Sequence, residues 1–418
     1  MNPHLEFLYG LRQSVIKLGL KNIALLLAQL GHPQKAFKSI HVAGTNGKGS
    51  TSACFAAILE AAGYKVGLYT SPHLQRFNER IRIGKQQISD EELAALIEEI
   101  RARARGQSAT FFEFTTALAF LWFARQEVDF AVIETGMGGR LDATVLIRPL
   151  VSIVTPVSFD HMSSLGNTLS AIAGEKSYII KAHTPVVIGP QEPEALEVLL
   201  ARAARMEAPV RLWGRDFDAS VRENGFAYHG REDIALLRPG LPGRHQHANL
   251  ATSLCAAELL NEQGFHVERA AMESGVRNVE WPGRLEWFPG RILLDGAHNA
   301  AGAQVLAQYL ADENINDLFW IVAIKWDKVA EEILLPVLPR CRRLYCTVAA
   351  DQASVDPQKL ADFAGRHGVA ATTFATPAAA LEAALSQRGA ETPLLVAGSL
   401  FLVGAVREYL EHYVETSA

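Results

Sequence analysis

The stretch His41–Thr51, HVAGTNGKGST, follows a short β-branched run and leads into an alanine-rich amphipathic segment. Glycines let the backbone N–H groups of such a turn point at an anion, and the start of a helix favours negative charge. A lysine among the glycines, Lys48, can reach the terminal phosphates of a nucleotide. The sequence therefore predicts a phosphate-binding loop, with a plain strand-to-helix turn as the alternative. The usual loop has Ser or Thr after its lysine to reach Mg²⁺, but here Gly49 follows.

The bulk composition excludes several classes of protein. The 418 residues carry a net charge of −5 and no basic run of the kind that binds nucleic acid. The four cysteines lack CxxC spacing, which favours reduced, buried thiols over a zinc site. No segment resembles a signal peptide or approaches the ~18 apolar residues of a membrane span. We therefore expect a cytoplasmic protein that binds neither nucleic acid nor a membrane.

Short β-branched runs alternate with longer amphipathic segments, a pattern typical of βαβ units around a parallel sheet. Strands are predicted at 38–43, 65–70, 129–135, 151–157 and 185–189, and helices at about 49–62, 90–104, 113–126 and 167–181. The region 209–240 predicts a few antiparallel strands, and a helix resumes near residue 247. After WPGRLEWFPG (281–290), which has the composition of a hinge, the βα rhythm restarts with RILLDGA, LFWIVAI, RRLYCTV and PLLVAGS.

We therefore expect an α/β fold in two domains. Residues 1–284 would form a P-loop domain with a mostly parallel sheet and a small antiparallel β addition. Residues 285–418 would form a smaller Rossmann-like α/β domain.

Three further segments come directly after predicted strands, where ligands of open α/β sheets bind. YTSPHL offers Ser71 and His73, VIETGMGG offers Glu134, and TPVSFDHM offers Asp160 and His161. Taken alone, each residue fits equally well a turn, a surface carboxylate or a packing role. Together a hydroxyl, a carboxylate and an imidazole suit a phosphate-bound divalent ion. We therefore predict that these residues supply the metal ligands that the phosphate loop lacks.

The chain also carries ten motifs in a fixed order, which are HVAGTNGKGS, SPHL, NERIRI, GMGGRLDAT, DHMSSLG, GEKS, HQHAN, WPGRLE, LDGAHN and VAGSLFLVGAVRE. In this order they resemble folylpolyglutamate synthases and bifunctional dihydrofolate synthase/folylpolyglutamate synthases, which belong to the ATP-dependent Mur ligase superfamily. The resemblance covers nearly the whole chain. It implies a monomeric ligase that adds L-glutamate to dihydropteroate and to the γ-carboxylate of reduced folates through an acyl phosphate. A monofunctional folylpolyglutamate synthase and another Mur-type amino acid ligase are the alternatives.

The resemblance also implies roles for individual residues around ATP. Lys48, Lys176 and His161 would be catalytic, and Lys176 in GEKS would be carbamylated rather than a solvated helix lysine. Two Mg²⁺ ions would be held by Ser71, Glu134, His161 and carbamylated Lys176, and a K⁺ requirement is left open. His298 is a weaker candidate for nucleotide contact. The ATP ligands would be Gly44, Thr45, Asn46, Gly47, Lys48, Gly49, Ser50, Asn249, Arg284 and Asp295.

The pterin side is implied in the same way. Phe112 offers a stacking surface for a flat ring, although an aromatic residue on a helix is more often part of the core. Arg80 and Arg82 in NERIRI would steady an anionic substrate tail or be exposed strand charges, and Ser399 would frame the glutamate pocket. The pterin residues would be Leu18, Gly19, Thr110, Phe111, Phe112, Glu113, Leu141, Asp142 and Ala143.

Four residues depart from the family's usual pattern. Val145 follows LDAT, Ser177 and Tyr178 follow Lys176, and Val329 stands in WDKVA. The first three border the expected active site and put substrate preference in question more than ATP chemistry. Val329 puts in question what Asp327 and Lys328 contribute to the cleft.

Rival functions fit the sequence less well. A peptidoglycan ligase would need a UDP-binding domain ahead of the loop, and the 43 residues before Gly44 are too few for one. A P-loop kinase or GTPase switch has no need of GEKS or of a second α/β domain. A protein that only binds would not require Lys48, Glu134, His161 and Lys176 together.

Overall fold

The structure is a computed structural model that describes residues 3–11, 19–104, 108–349 and 353–417. Within these ranges the strands form sheets of eight, three and six strands. The eight-stranded sheet contains β1 (Lys38–Ala43), β2 (Val66–Tyr69), β3 (Ile81–Ile83), β4 (Gln86–Gln87), β5 (Phe130–Glu134), β6 (Pro149–Val154), β7 (Val186–Ile188) and β8 (Val210–Leu212). The three-stranded sheet contains β9 (Asp218–Arg222), β10 (Gly225–His229) and β11 (Ile234–Leu237). The six-stranded sheet contains β12 (Glu286–Phe288), β13 (Ile292–Leu294), β14 (Leu318–Val322), β15 (Cys341–Cys346), β16 (Ala370–Thr373) and β17 (Leu394–Ala397).

The helices follow the strands in the alternation that the sequence predicts. In chain order they are α1 (Pro3–Gly10), α2 (Lys21–Gln29), α3 (Lys48–Ala61), α4 (Asp90–Arg103), α5 (Phe111–Arg125), α6 (Met162–Leu165), α7 (Leu169–Lys176), α8 (Pro193–Arg205), α9 (Arg244–Glu262), α10 (Arg269–Asn278), α11 (Ala300–Asp312), α12 (Ala330–Leu334), α13 (Pro357–Arg366), α14 (Pro377–Gln387) and α15 (Leu400–Ser417). Short 3₁₀ segments lie at Pro33–Lys35, Phe77–Arg80, Ala143–Leu146, Ser177–Ile179 and Leu338–Arg340.

The eight-stranded sheet has the order β4-β3-β2-β5-β1-β6-β7-β8. The strands β2, β5, β1, β6, β7 and β8 pair in parallel, whereas β3 pairs antiparallel with both β2 and the edge strand β4. Val42 of β1 lies opposite Glu134 of β5 and opposite Ile153 of β6. Because these three strands are parallel, their carboxyl ends meet at one edge of the sheet. The loop after β1 therefore lies beside the turns that follow β5 and β6.

The edges of this sheet differ from the expectation. The segment NERIRI contributes a 3₁₀ turn and the antiparallel strand β3, next to the edge strand β4, which the apolar pattern did not predict. Residues 210–212 extend the large sheet in parallel, so the region 209–240 is not antiparallel throughout. The antiparallel addition itself is confirmed as β9–β11. A three-residue edge strand has too few positions to show its pairing direction in an alternation pattern.

Helices cover both faces of the large sheet. On one face α3 is buried between the sheet and the helices α9 and α10. On the other face α5 packs on the sheet and is covered by α2 and α4. The sequence of α5, FFEFTTALAFLWFAR, is apolar all round, as a helix enclosed on every side requires. The phosphate loop is thus anchored by a strand and a helix that are both buried.

The six-stranded sheet has the order β12-β13-β17-β14-β15-β16 and is parallel except for β12. Two apolar clusters fill its two faces. The four strands predicted from RILLDGA onward are confirmed, which makes this second α/β unit a smaller Rossmann-like sheet. The predicted hinge at 281–290 contains β12, which pairs with β13. No helix in the described ranges is long and apolar enough to cross a bilayer.

Helix α2 offers a matched test of the packing over α5. Leu27 is 0% exposed and Leu25, in the same helix, is 45% exposed. We expect Leu27→Ala to lower the free energy of unfolding by about 2–5 kcal/mol, because it removes buried methyl groups and leaves a cavity. Leu25→Ala should change it by less than about 0.5 kcal/mol. Urea unfolding followed by circular dichroism measures both, and equal effects would contradict the packing described here.

Candidate active site

A cleft of about 550 Å³ lies between the carboxyl edge of the eight-stranded sheet and the segments that follow β13 and β17. The phosphate loop and the turns after β5 and β6 line one side of it. The segments 295–298 and 398–401 line the other side. Both sheets therefore contribute to one site, as expected when ligands bind at the carboxyl ends of parallel strands. Predicted residues on its wall are Gly44 to Ser50, Ser71, Glu134, His161, Lys176, Asn249, Arg284, Asp295, His298 and Ser399.

The glycines of the loop are required by close contacts. Gly44 and Gly47 have φ values of 152° and 84°, which favour residues without a Cβ. A Cβ on Gly44 would collide with Thr155 Oγ1, and one on Gly47 would collide with the Asn249 side chain. A Cβ on Gly49 would lie 2.8 Å from Trp281 Nε1. The turn therefore packs against three other segments of the chain.

The backbone N–H groups of the loop divide into two sets. Those of Thr45 and Asn46 donate to the Pro156 carbonyl at 2.9 and 3.3 Å. The next N–H groups belong to the first turn of α3, whose donors have no partner within the helix. These first-turn donors, from Lys48 onward, are the ones available to a phosphate.

Two lysines approach this loop from different elements. Lys48 Nζ donates to the Thr45 carbonyl at 3.0 Å, and Lys176 Nζ at the end of α7 donates to the Gly44 carbonyl at 2.7 Å. Lys176 is buried, and burial, together with the charge of Lys48, lowers its pKa to about 7. Its surroundings therefore favour the uncharged, nucleophilic form of the amine more than water does.

Glu134 ends β5 directly beside the loop. Its Oε2 accepts the Ser71 N–H at 3.1 Å, and its Oε1 lies 3.9 Å from Lys48 Nζ, beyond hydrogen-bond distance. Burial raises the pKa of this carboxyl, and Lys48 acts in the opposite direction. A buried carboxylate with an oxygen facing the cleft is a suitable ligand for a hard cation.

Asp160 is the centre of a charged cluster on the far side of the loop. Its Oδ1 accepts the His161 N–H at 2.7 Å and pairs with Lys328, which follows β14. Its Oδ2 accepts from Asn299 Nδ2 at 3.1 Å and lies 3.6 Å from His298 Nε2. Burial alone would raise the pKa of Asp160, but His298 and Lys328 hold this pKa below the ordinary value. Lys328 thus contributes to the cleft although Val329 departs from the family pattern.

His161 presents a neutral imidazole to the cleft. Burial lowers its pKa to about 4, although Asp160 opposes this shift. A neutral imidazole is the form that binds metal ions.

The predicted nucleotide ligands outside the loop are also brought together. Asn249 of α9 lies against Gly47, and its Nδ2 donates to Gln246 Oε1 at 2.8 Å. The guanidinium of Arg284 lies against Gly296, where a Cβ would collide with it. Asp295 accepts the N–H groups of Leu285 and Ala297, both at 2.9 Å, and burial raises its pKa. Asp295 therefore fixes the backbone directly after Arg284 and directly after Gly296.

The predicted pterin residues do not line this cleft among the residues described. Thr110 and Glu113 cap α5 instead, with Thr110 N donating to Glu113 Oε2 at 2.8 Å and Glu113 N donating to Thr110 Oγ1 at 3.3 Å. The Phe112 ring lies directly against Gly136, which does line the cleft. Phe111 packs on Phe77 with 6.1 Å between ring centroids. The pterin assignments stay predictions. Leu18 lies outside the described residues, and Gly19 lies just before α2.

Asp142 has a structural task. Its Oδ2 accepts the N–H groups of Gly136 and Met137 at 2.9 Å each, and its Oδ1 accepts the Thr144 N–H at 2.9 Å. Burial raises its pKa. Asp142 thereby holds the turn after β5 in place, while Ala143 begins a 3₁₀ segment and Leu141 is half-buried.

The two arginines of NERIRI are not exposed strand charges. Arg80 is 4% exposed and its Nε donates to His73 Nδ1 at 2.7 Å. Arg82 lies over the Trp281 ring at 5.3 Å, and burial lowers its pKa. That part of the expectation is wrong, because both side chains pack on aromatic rings instead of projecting into water.

The departures from the family pattern lie around α7. Ser177 Oγ donates to the Gly174 carbonyl at 2.7 Å, and Val145 is buried with its carbonyl accepting from Lys181 at 3.0 Å. Tyr178 is at the surface, where Arg202 lies over its ring at 4.5 Å.

Sequence reasoning missed Asn299, which is buried beside the cleft, and two residues on the cleft wall. Asn299 ends the motif LDGAHN, and an Asn before an apolar helical run is an N-cap signal. His245 and Gln246 precede Asn249 on the cleft wall. Their positions depend on contacts between distant segments, for which a single sequence carries no signal.

The donor set fits a divalent ion bound together with phosphate. The described ranges contain no cluster of three or more His, Cys, Asp and Glu side chains that could hold an ion alone. Glu134, Ser71 and the neutral His161 nevertheless face the same cleft as the phosphate loop. Mg²⁺ usually binds few protein ligands, and phosphate oxygens complete its coordination shell. The residues present therefore fit Mg²⁺ bound with a nucleotide.

Comparison with known proteins agrees with this geometry. The family model described as the Mur ligase middle domain matches residues 42–257, and the one described as dihydrofolate synthetase, C-terminal domain, matches residues 288–410. The chain is 40% identical over 336 residues to the dihydrofolate synthase/folylpolyglutamate synthase of Bacillus subtilis, covering 76% of this chain and 77% of that protein. It belongs to the dihydrofolate synthase/folylpolyglutamate synthase family. This is a family of ATP-dependent ligases of the Mur type, so the resemblance inferred from the motifs is confirmed.

Two further relatives cover nearly the whole chain. The Escherichia coli dihydrofolate synthase/folylpolyglutamate synthase is 31% identical over 97% of this chain and 94% of its own. A solved structure of E. coli FolC in complex with DHPP and ADP superposes with a TM-score of 0.90 at 30% identity, covering 98% and 97% of the two chains. Mycobacterium tuberculosis folylpolyglutamate synthase complexed with ADP gives a TM-score of 0.90 at 33% identity over 97% and 98%.

Gly47 provides a direct test of the loop. Gly47→Ala should weaken ADP binding about tenfold or more, because alanine is strained at φ 84° and its Cβ would displace Asn249. Gly365→Ala is the matched control, since this helical glycine has open space around it. Isothermal titration calorimetry with ADP measures both variants. Unchanged affinity in Gly47→Ala would contradict the placement of the nucleotide on this loop.

Proposed function

We propose that this chain is a ligase that uses ATP to join L-glutamate to dihydropteroate and to the γ-carboxylate of reduced folates. The observation that carries the proposal is the convergence of a phosphate loop, the buried Glu134 and the buried Lys176 in a cleft closed by the second sheet. Membership of the dihydrofolate synthase/folylpolyglutamate synthase family supports the same reaction. A monofunctional folylpolyglutamate synthase is the alternative.

The reaction needs an activated carboxylate. A folate or pteroate carboxylate oxygen attacks the γ-phosphorus of ATP, ADP leaves, and an acyl phosphate forms. The amino group of glutamate then attacks the acyl carbon, a proton is lost, and phosphate leaves as the amide bond forms. Such phosphoryl transfer depends on positioning and on neutralising charge more than on covalent help from the protein. The first turn of α3 and Lys48 would supply both for the β- and γ-phosphates.

Ser71 and Glu134 would hold one Mg²⁺, and His161 with carbamylated Lys176 would hold a second. The bound ions would neutralise charge on the transferring phosphoryl group. The contribution of the chain is to keep the ligands oriented. The Ser71 N–H fixes Glu134 Oε2, and Asp160 fixes the backbone of His161.

The environment of Lys176 supports its carbamylation. Carbamate formation requires a neutral amine, whose nitrogen attacks the carbon of CO₂ and then loses a proton. Burial lowers the pKa of Lys176 to about 7, so this neutral form is accessible at physiological pH. The carbamate would replace a buried cation by an anionic oxygen donor. That change would relieve the repulsion between Lys176 and Lys48.

On the nucleotide side, Asn249, Arg284 and Asp295 would position the base or ribose and the phosphates across the cleft. On the substrate side, α5 and the turn after β5 would bind the pterin through Phe112 and its neighbours, with Ser399 near the glutamate site. The contact of Phe112 with Gly136 supports this placement, because Gly136 lies two residues from Glu134.

We also propose that residues 1–284 and 285–418 act as two domains of a cytoplasmic monomer. The six-stranded sheet begins at Glu286, and one chain supplies both walls of the cleft, so no second copy is needed to complete it. The negative net charge supports small-molecule substrates over nucleic acid.

The reaction can be followed by phosphate release with ATP, Mg²⁺ and L-glutamate. We expect glutamate-dependent release with dihydropteroate and with tetrahydrofolate, and none with a UDP-muramoyl acceptor. Comparing the two pterin substrates decides between the bifunctional and monofunctional forms, and replacing NaCl by KCl tests for a K⁺ requirement.

Lys48→Ala should lower kcat by about 10²-fold or more, the scale of losing one charge-stabilising donor.

The control for this variant is Lys85→Ala, since that side chain is 84% exposed. It should leave phosphate release unchanged. Absence of glutamate-dependent release with either pterin substrate would refute the proposed function.

Lys176→Ala tests the carbamate. The variant should lose activity, and a short carboxylic acid such as propionate should restore part of it, because its carboxylate can occupy the place of the carbamate oxygens. Lys181→Ala, which removes a nearby lysine outside the cleft wall, should not respond to the acid. Steady-state phosphate release at matched ionic strength measures both variants. Full activity of Lys176→Ala without added acid would show that the carbamate assignment is wrong.

A further inference from the structure

Two carboxamide side chains join the phosphate loop to the six-stranded part of the molecule. Asn46 Nδ2 donates to Asn299 Oδ1 at 3.2 Å, and Asn299 Nδ2 donates to Asn46 Oδ1 at 3.0 Å. The pair is reciprocal although 253 positions separate the residues in the sequence. We call it the amide clasp. It lies where the two walls of the cleft meet.

Each member of the amide clasp is also fixed on its own side. Asn46 Nδ2 donates to Ser158 Oγ at 3.2 Å, in the segment after β6. Asn299 caps α11 by accepting the Gly302 N–H at 2.9 Å, and it is 4% exposed. A shift of α11 would therefore be transmitted to the phosphate loop through the amide clasp.

Asn299 reaches a second functional residue through Asp160. Its Nδ2 donates to Asp160 Oδ2 at 3.1 Å, while Asp160 Oδ1 accepts the His161 N–H at 2.7 Å. One side chain of α11 thus contacts both the phosphate loop and the residue that orients His161. Hydrogen bonds to a charged carboxylate are the stronger kind.

The groups of Asn46 are already used within the protein. Its N–H donates to the Pro156 carbonyl at 3.3 Å, and its carboxamide donates and accepts in the amide clasp. An asparagine in a phosphate loop would ordinarily be expected to contact the nucleotide. Here its hydrogen bonds connect two walls of the cleft.

We propose that Asn299 is a positioning residue for the phosphate site, which it aligns through Asn46 and Asp160. The loop and His161 then reach their productive arrangement only when α11 is docked against them. This inference rests on the proposed ligase function and adds how docking of the six-stranded part is coupled to phosphoryl transfer. It predicts a loss of turnover without a matching loss of nucleotide affinity.

The test uses Asn299→Ser, Asn46→Ala and the double variant of the full chain. Serine is as good an N-cap as asparagine, so α11 keeps its cap, but serine is too short to reach Asn46. We expect kcat for glutamate-dependent phosphate release to fall about tenfold in each single variant, with the Kd for ADP within about twofold of wild type. The double variant should be no slower than the slower single variant, because both substitutions break the same pair.

Asp356→Ser is the matched control, because Asp356 caps α13 away from the cleft by accepting the Gln358 N–H. It should leave kcat unchanged. Hydrogen exchange gives a readout that does not depend on turnover. Asn299→Ser should speed exchange of amides in 44–50 but not in 357–366.

Several results would overturn the proposal. Unchanged exchange in the loop, additive effects in the double variant, or weaker ADP binding in Asn46→Ala beside a fully active Asn299→Ser would each do so. Should Asn299→Ser fail to fold by circular dichroism, Asn299→Asp decides instead. It keeps the cap but loses the donated hydrogen bonds and places a negative charge beside Asp160, so kcat should fall further. An inactive wild-type chain would refute the proposed function and not the amide clasp, which the exchange measurement tests by itself.

Discussion

The parallel pairing of β1 with β5 and β6 is the constraint on which the cleft depends. Val42 lies opposite Glu134 on one side and opposite Ile153 on the other. Beyond these pairs, the Thr135 N–H donates to the Val42 carbonyl at 2.9 Å, and the Thr155 N–H donates to the Ala43 carbonyl at 2.8 Å. These hydrogen bonds are made by the backbone and survive most side-chain changes. They place the three segments that follow β1, β5 and β6 side by side at one edge of the sheet. The phosphate loop, the carboxylate of Glu134 and the Asp160 cluster are neighbours for that reason.

The charges gathered at this edge are poorly compensated by one another. Burial lowers the pKa of Lys176 and raises the pKa of Glu134, which means that each group is disfavoured in its charged form. Lys48 lies 3.9 Å from Glu134, too far for a hydrogen bond that would offset the loss of water. A polyphosphate with divalent cations would supply the missing partners for both signs of charge. The site is therefore built to hold a charged ligand at a cost in the stability of the free protein.

Local sequence patterns were sufficient for the interior of the fold and not for its borders. The central strands and the loop glycines follow from β-branched runs, helix periodicity and one lysine, all of which act over a few residues. The edge strands β3, β4 and β16 are too short or too weakly apolar to stand out in that pattern. Thr110 and Glu113 have a structural task that their sequence spacing also predicts. Their T-x-x-E spacing before an apolar helix is a capping-box signature, and the structure uses both residues as a cap.

The contacts across the cleft cannot be predicted from the local patterns of a single sequence. Asn46 and Asn299, or Asp160 and Lys328, are far apart in the chain and chemically ordinary at their positions. Their meeting depends on how the six-stranded sheet docks on the eight-stranded one. Asp160 shows why this matters, because its carboxylate is held ionised by Lys328 and His298 from one wall and orients His161 on the other. Residues that prepare the chemistry thus take their charge state and direction from the opposite wall. A ligase that must exclude water while the phosphoryl group is transferred has a physical reason to divide its site between two walls.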